Sequence, residues 1–257
     1  MLAIIGGSGL TRLSTLAIAH REVVRTPYGE PSSALVFGQV AGRDVVFLAR
    51  HGHGHTIPPH RVNYRANLWA LKARDVDAML AVASVGAIAA NYAPGQLVLP
   101  HQLIDYTSGR QQTFFDGGDR EVVHIDFTHP YSADLRARCL AAARAAKIPI
   151  HDGGVYGAVS GPRLETAAEI DRMDRDGATL VGMTGMPEAA LARELGIAYA
   201  TIAVVVNHAA GRGDSAEAVS IERIAGVLET AMDKVKILIG HVVQHHAAPR
   251  AVRQETK

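Results

Sequence analysis

Residues 181–211, VGMTGMPEAALARELGIAYATIAVVVNHAAG, decide the fold of this chain. They predict an apolar run that ends at Met183 and Thr184, a helix that begins at Pro187, and a strand that ends at Asn207. Proline is tolerated in the first turn of a helix, and the β-branched and small apolar residues before Asn207 are typical of a strand buried on both faces. Met183, Thr184 and Asn207 then lie at the carboxyl ends of two strands, where open α/β sheets bind ligands.

Composition excludes several classes of function. The 26 basic residues nearly balance the 25 acidic ones, which argues against a nucleic-acid or anionic-membrane partner. Any anion must therefore be bound in a local pocket. Cys139 is the only cysteine, so an intrachain disulfide and a Cys-rich metal site are excluded, and no histidine motif has metal-ligand spacing. The start MLAIIGGSGL lacks the features of a signal peptide and no apolar run approaches a membrane span, so we expect a soluble, cytoplasmic protein.

The other apolar runs alternate between strand and helix patterns. Strands are expected over residues 2–5, 34–40, 44–49, 78–85, 96–99 and 153–160, and helices over 62–74, 132–146, 166–176 and 220–243. This alternation predicts an α/β fold, a three-layer α/β/α sandwich with helices on both faces of a mixed sheet. We expect one domain over residues 1–246 and a disordered tail over 247–257.

Two segments suit an anion. The glycine-rich loop at residues 6–9 follows the first strand and can bring backbone N–H groups and the Ser8 hydroxyl to a phosphate, although an ordinary tight turn explains it equally well. A dinucleotide site is a weaker alternative, because the loop fits GxGxxG poorly and residues 13–24 show no clear strand. Arg50 ends another strand, and its planar fork of donors suits either a phosphate or a surface ion pair.

Six motifs, in one order along the chain, resemble the trimeric purine nucleoside phosphorylases. They are IGGSGL (5–10), RHG (50–52), HTI (55–57), VNYRAN (62–67), GPRLET (161–166) and a last motif in which PE and ARELGI follow GMT (182–197). The similarity is greatest to the branch that acts on methylthioadenosine and methylthioinosine. It implies a single nucleoside phosphorylase domain with a partly barrel-like central sheet, a homotrimer with sites near the subunit interfaces, and inorganic phosphate as co-substrate. It implies no metal and no organic cofactor.

The resemblance also assigns the phosphate site. The residues it implies for phosphate binding are Ser8, Arg50, His51, Ser84 and Thr184. Thr184 also precedes a helix and suits an N-terminal cap. Ser84 would offer its backbone N–H, whereas Ala83 lacks the hydroxyl that the methylthioadenosine branch carries there.

The resemblance places Glu165 and Asn207 at the base, as the catalytic residues, and Leu164, Met183, Ala209 and Ile221 around the nucleoside. Enzymes of the methylthioadenosine branch carry Ser at the position of Glu165 and Asp at those of Asn207 and Ala209. The three differences favour a 6-oxopurine, because a mismatched set of donors and acceptors leaves buried polar groups unpaired. Met183 would lie under the ribose.

Ile221 occupies the position where phosphorylases for ordinary nucleosides place a histidine near the 5′-hydroxyl. An apolar wall suits a methylthio group, although helix packing explains the residue equally well. We therefore expect phosphorolysis of S-methyl-5′-thioinosine by a pentosyltransferase of purine salvage. The alternatives are an inosine or guanosine phosphorylase, a methylthioadenosine phosphorylase, a non-catalytic nucleoside-binding protein and, more remotely, a dinucleotide-dependent oxidoreductase.

Overall fold

The computed structural model describes residues 1–118 and 121–246, so the expected tail over 247–257 lies outside the described residues. The strands are β1 (Leu2–Gly6), β2 (Ala17–Glu22), β3 (Leu35–Val40), β4 (Arg43–Ala49), β5 (Ala78–Ala87), β6 (Leu97–Leu99), β7 (Gln102–Asp105), β8 (Ile150–Asp152), β9 (Val155–Ala158), β10 (Leu180–Gly182) and β11 (Ala198–His208). The α-helices are α1 (Tyr64–Lys72), α2 (Ala133–Ala146), α3 (Ala167–Arg175), α4 (Gly185–Glu194) and α5 (Ile221–His245). Short 3₁₀ turns cover Pro59–Arg61 and Gly213–Ser215.

All the strands belong to one mixed sheet that branches at β5. Its main path runs β2-β3-β4-β1-β5-β10-β9-β7, and a second branch leads from β5 through β11 and β6 to β8. β5 is parallel to β1 and β11 but antiparallel to β10. The carboxyl ends of β1, β4, β5 and β11 therefore meet at one edge, since β1 and β4 are also parallel.

The side chains of β1 show how the layers form. Ala3 and Ile5 pack in a buried cluster with residues of α1 and α4, whereas Leu2 and Ile4 pack in a second cluster with residues of α2 and α5. Successive strand residues point to opposite faces, so helices cover both faces of the sheet. The predicted three-layer α/β/α sandwich with a mixed sheet is confirmed.

The sequence patterns did not predict β2, β7 or β8, and of these β2 bears on the dinucleotide alternative. The expectation of no strand over residues 13–24 was wrong, because Ala17–Glu22 pairs antiparallel with β3. Its side chains are almost all exposed, so it lacks the apolar alternation by which a strand is recognised. β2 is separated from β1 by β3 and β4, so it still does not provide the parallel neighbour that a dinucleotide fold requires.

The helices begin where the sequence placed them. Thr166 caps α3 and forms the expected reciprocal pair with Glu169, and regular helical geometry in α4 starts at Pro187 because Met186 is non-helical. Within the described residues, no helix combines the length and apolar character needed to cross a membrane.

Candidate active site

A cavity of about 590 Å³ opens at the carboxyl ends of β1, β4, β5 and β11. Loops after β4 and β10, the segment before α3 and the first turn of α5 complete its wall. All but one of the predicted site residues line it, namely Ser8, Arg50, His51, Ser84, Leu164, Glu165, Met183, Thr184, Asn207 and Ile221.

Ala209 does not reach the cavity. The register of β11 against β5 shifts between Val205 and Asn207, and this bulge lets Val206 and Asn207 both face the cavity. Ala209 then points away, donating its backbone N–H to the Ala87 carbonyl (2.7 Å) and packing in an apolar cluster beside α3. The neighbouring Ala210 lines the cavity, and a contact between Ala209 and the substrate stays a prediction.

Arg50 is fully buried, so the surface ion pair considered for it does not exist. Its Nε donates to Glu188 Oε2 (2.7 Å), its Nη2 to Glu188 Oε1 (2.8 Å) and its Nη1 to the Val82 carbonyl (3.0 Å). A guanidinium carries five N–H donors, so one on Nη1 and one on Nη2 are left for a ligand. The absence of a side chain at Gly7 leaves space for the Arg50 guanidinium, because a Cβ at Gly7 would lie 2.9 Å from Arg50 Nη1.

Glu188 anchors a buried polar network behind the cavity. Besides Arg50, its carboxylate accepts the Tyr199 hydroxyl (2.8 Å), which in turn accepts the Thr201 hydroxyl (3.1 Å). Burial alone would lower the pKa of Arg50, but the Glu188 carboxylate outweighs it and holds that pKa above its ordinary value. The sequence analysis identified Glu188 only as part of a motif at the start of α4, so its pairing with Arg50 was missed.

His51 is neutral at physiological pH. Burial, together with the Arg50 cation, lowers the pKa of its imidazole to about 4. Its Nδ1 lies 2.8 Å from the Ile57 carbonyl, which can only accept, so Nδ1 carries the proton and Nε2 is a lone-pair acceptor. Arg50 is thus the formal cation of this part of the wall, and His51 contributes a neutral polar group.

Two hydroxyls of the cavity wall have unused hydrogen-bonding capacity. Ser84 Oγ is buried and has no hydrogen-bond partner among the described residues. Thr184 occupies the N-cap position of α4, yet its side chain makes no capping hydrogen bond. A buried hydroxyl without a partner is costly, so a polar ligand in the cavity is the natural partner of Ser84.

Glu165 and Asn207 face the same cavity from different elements. Burial raises the pKa of the Glu165 carboxyl above its ordinary value. Asn207 Nδ2 donates one N–H to the His208 carbonyl (2.6 Å), which fixes the amide and leaves its second N–H and Oδ1 for a ligand. A purine is thus offered one donor, the free N–H of Asn207, and two acceptors, Asn207 Oδ1 and the Glu165 carboxyl.

An apolar patch forms the far wall. It consists of Val219, which precedes α5, and of Ile221 and Ile224 in the first turn of that helix; Ile221 is 63% exposed at the cavity mouth. No group of three or more His, Cys, Asp or Glu in the described part of the chain is placed to hold a metal ion. The absence of a metal or organic cofactor stays a prediction.

A family model described as "Phosphorylase superfamily" matches residues 1–244. The chain belongs to this family. Among similar superfamily members, a protein of Pseudomonas syringae pv. tomato named "Probable S-methyl-5'-thioinosine phosphorylase" is 53% identical over 241 residues, 94% of this chain and 97% of that protein. A "Probable 6-oxopurine nucleoside phosphorylase" of Thermococcus kodakarensis is 41% identical, covering 95% of this chain and 92% of its own length.

Solved structures of the superfamily show the same architecture. Methylthioadenosine phosphorylase from Schistosoma mansoni, in complex with adenine, superposes with a TM-score of 0.91 at 32% identity, covering 95% of this chain and 91% of that one. The methylthioadenosine phosphorylase sourced from an Antarctic soil metagenomic library superposes with a TM-score of 0.88 at 37% identity, covering 95% and 85%. The fold expected from the six motifs is thereby confirmed.

Proposed function

We propose that this phosphorylase cleaves S-methyl-5′-thioinosine with inorganic phosphate, releasing hypoxanthine and 5-methylthioribose 1-phosphate. The observation that carries the proposal is that Glu165 and Asn207 share one cavity with Arg50, Ser84 and Thr184. Hydrogen-bonding groups for a purine and donors for an anion thus line a single space. No cofactor enters the proposal, because phosphate is itself the nucleophile.

The reaction breaks the bond between N9 and C1′ and forms one between C1′ and a phosphate oxygen. The bonding electron pair leaves with the purine, which takes a proton from solvent at N7. Asn207 Oδ1 accepts that N7–H and its free N–H donates to O6, while Glu165 accepts N1–H. These hydrogen bonds strengthen as the base gains negative charge, so they stabilise the transition state more than the substrate.

Phosphate binds between Ser8, the two free N–H groups of Arg50, Ser84 and Thr184. There it attacks C1′ and offsets the positive charge that develops on the sugar. No covalent enzyme intermediate is needed, because positioning and electrostatics supply the catalysis.

The 5′-substituent is assigned from the apolar wall. Val219, Ile221 and Ile224 offer no hydrogen bond to a 5′-hydroxyl, which would lose its water on binding. A methylthio group loses no hydrogen bond to water there, and it buries apolar surface. The names of the similar proteins include both methylthioinosine and general 6-oxopurine phosphorylases, so inosine is the competing substrate.

We also propose a cytoplasmic homotrimer. Leu164 and Ile221 are exposed at the cavity mouth, and a neighbouring subunit covering them would exclude water from the reaction. Light scattering after size-exclusion chromatography should give three times the mass of one chain.

The test is phosphate-dependent release of base from methylthioinosine, inosine and methylthioadenosine, assayed side by side. Preference for methylthioinosine is the expected result. Preference for inosine would keep the base assignment and refute the role of Ile221. Preference for methylthioadenosine would refute the roles of Glu165 and Asn207, and binding without turnover would favour a nucleoside sensor.

A further inference from the structure

Arg110 lies five residues after the end of β7 and does not line the cavity. Its guanidinium nevertheless binds two loops that do. Nη2 donates to the carbonyls of Ser160 (2.8 Å) and Val159 (3.3 Å). Nη1 donates to the Met183 carbonyl (2.8 Å), to the Met186 carbonyl and to the Tyr64 hydroxyl (3.4 Å).

The two loops carry different halves of the proposed substrate site. The loop after β9 contains Ser160 and leads directly into Leu164 and Glu165, which face the purine. The loop after β10 contains Met183 and Thr184, which face the sugar and phosphate. Arg110 is therefore a bridge between the base-binding and the sugar-binding parts of the wall.

The loops also touch one another below this bridge. Gly161 has a φ of +61°, and a Cβ at that position would lie 2.4 Å from Met183 Sδ. The Met183 side chain therefore packs closely against Gly161, and this contact opposes movement of the two loops towards each other. Arg110 opposes a change in the other direction, because its donors pull on carbonyls of both loops.

The arrangement suits arginine specifically and is not optimal for stability. A planar fork serves carbonyls on two sides at once, whereas a lysine ammonium is a point charge on a flexible stem. All the hydrogen-bond partners that the described residues give Arg110 are carbonyl or hydroxyl oxygens, and its Nε is buried without any. A partly buried cation with neutral partners costs free energy, and such violations concentrate at functional sites.

We propose that Arg110 is a positioning residue, which fixes the distance between Glu165 at the base and Met183 and Thr184 at the sugar and phosphate. The inference rests on the proposed function. A nucleoside bridges both loops only when this distance matches its length, and misplacement by about 1 Å costs about 100-fold in rate.

The experiment compares Arg110→Lys with Arg136→Lys. Arg136 also donates to backbone carbonyls, those of Pro100 (3.0 Å) and Leu99 (3.2 Å), and to the Asp152 carboxylate, but it lies away from the cavity. We expect kcat/KM for the nucleoside to fall about 100-fold in Arg110→Lys and less than about threefold in Arg136→Lys, at similar losses of thermal stability. Guanidinium at low millimolar concentration should restore activity to Arg110→Ala, because it replaces the missing fork, whereas methylammonium should not.

The outcomes separate the two proposals. Equal losses of kcat/KM in the two lysine variants, or full activity in Arg110→Lys, would overturn the positioning role. If the wild type turns over none of the three nucleosides, the proposed function fails. In that case the role of Arg110 is still tested by the thermal stabilisation that hypoxanthine plus phosphate confers. We expect the wild type to be stabilised and Arg110→Lys not to be. Equal stabilisation of the two proteins, or no stabilisation of either, would refute the role of Arg110.

Discussion

Replacing Glu188 by glutamine should be among the most damaging single changes in this protein. The side chains of Arg50 and Glu188 are each 1% exposed, and the carboxylate serves two guanidinium N–H groups and the Tyr199 hydroxyl. Glutamine keeps one acceptor oxygen, turns N–H donors towards the guanidinium, and leaves the buried cation without its counter-ion. Removing one partner of a buried pair costs about 3–5 kcal/mol, so we expect the free energy of unfolding to fall by that amount.

A matched control lies elsewhere on the chain. Glu22 also pairs with an arginine through both oxygens, but Glu22 and Arg74 are 34% and 35% exposed. Solvent screens this pair, so Glu22→Gln should cost about 1 kcal/mol at most. Urea unfolding of both variants, followed by circular dichroism, gives the comparison. Equal destabilisation by the two substitutions would refute the view that burial makes the Arg50–Glu188 pair costly to break.

Further expectations concern single groups of the site. Ser84→Ala should raise KM for phosphate about tenfold without lowering the free energy of unfolding, because its buried hydroxyl has no protein partner to lose; steady-state kinetics and urea unfolding measure both. Asn207→Asp should shift the ratio of kcat/KM values about tenfold towards methylthioadenosine, since a carboxylate accepts from a 6-amino group, and an unchanged ratio would remove Asn207 from its role. Ile221→His should raise turnover of inosine relative to methylthioinosine in the same assay. His51 has a folded-state pKa of about 4, below its unfolded value of about 6.5, so protonation favours the unfolded chain and stability falls as pH drops from 6.5 to 4. His51→Asn should weaken this dependence of the unfolding temperature on pH, and an unaltered dependence would show that His51 is not its cause.

The sequence predicted the parts of this molecule that depend on local pattern. Long apolar runs gave β5 and β11, and Thr166 with Glu169 gave the start of α3, because periodicity and capping act over a few residues. β2 was missed because its exposed side chains carry no such signal. Residue order also could not reveal the bulge in β11, which turns Ala209 away from the cavity while keeping Asn207 in it.

Contacts over long sequence separations were the least predictable. Arg50 and Glu188 are 138 positions apart, and Arg110 and Met183 are 73 apart. A glutamate or an arginine in a sequence does not predict a buried partner, since both residue types are usually exposed. The motif that contains Pro187 and Glu188 predicts the start of a helix. The pairing of Glu188 with Arg50 is visible only in the three-dimensional structure.

The branching of the sheet at β5 has a consequence for how the protein responds to its ligands. Ala83–Gly86 are part of the strand that pairs with both β10 and β11, and they also form the floor of the cavity. Opening the floor therefore requires breaking ladders on both sides of β5. Ligand binding should then slow amide hydrogen exchange throughout the sheet, by the factor that corresponds to the increase in the global free energy of unfolding, and not only in the loops that contact the ligand.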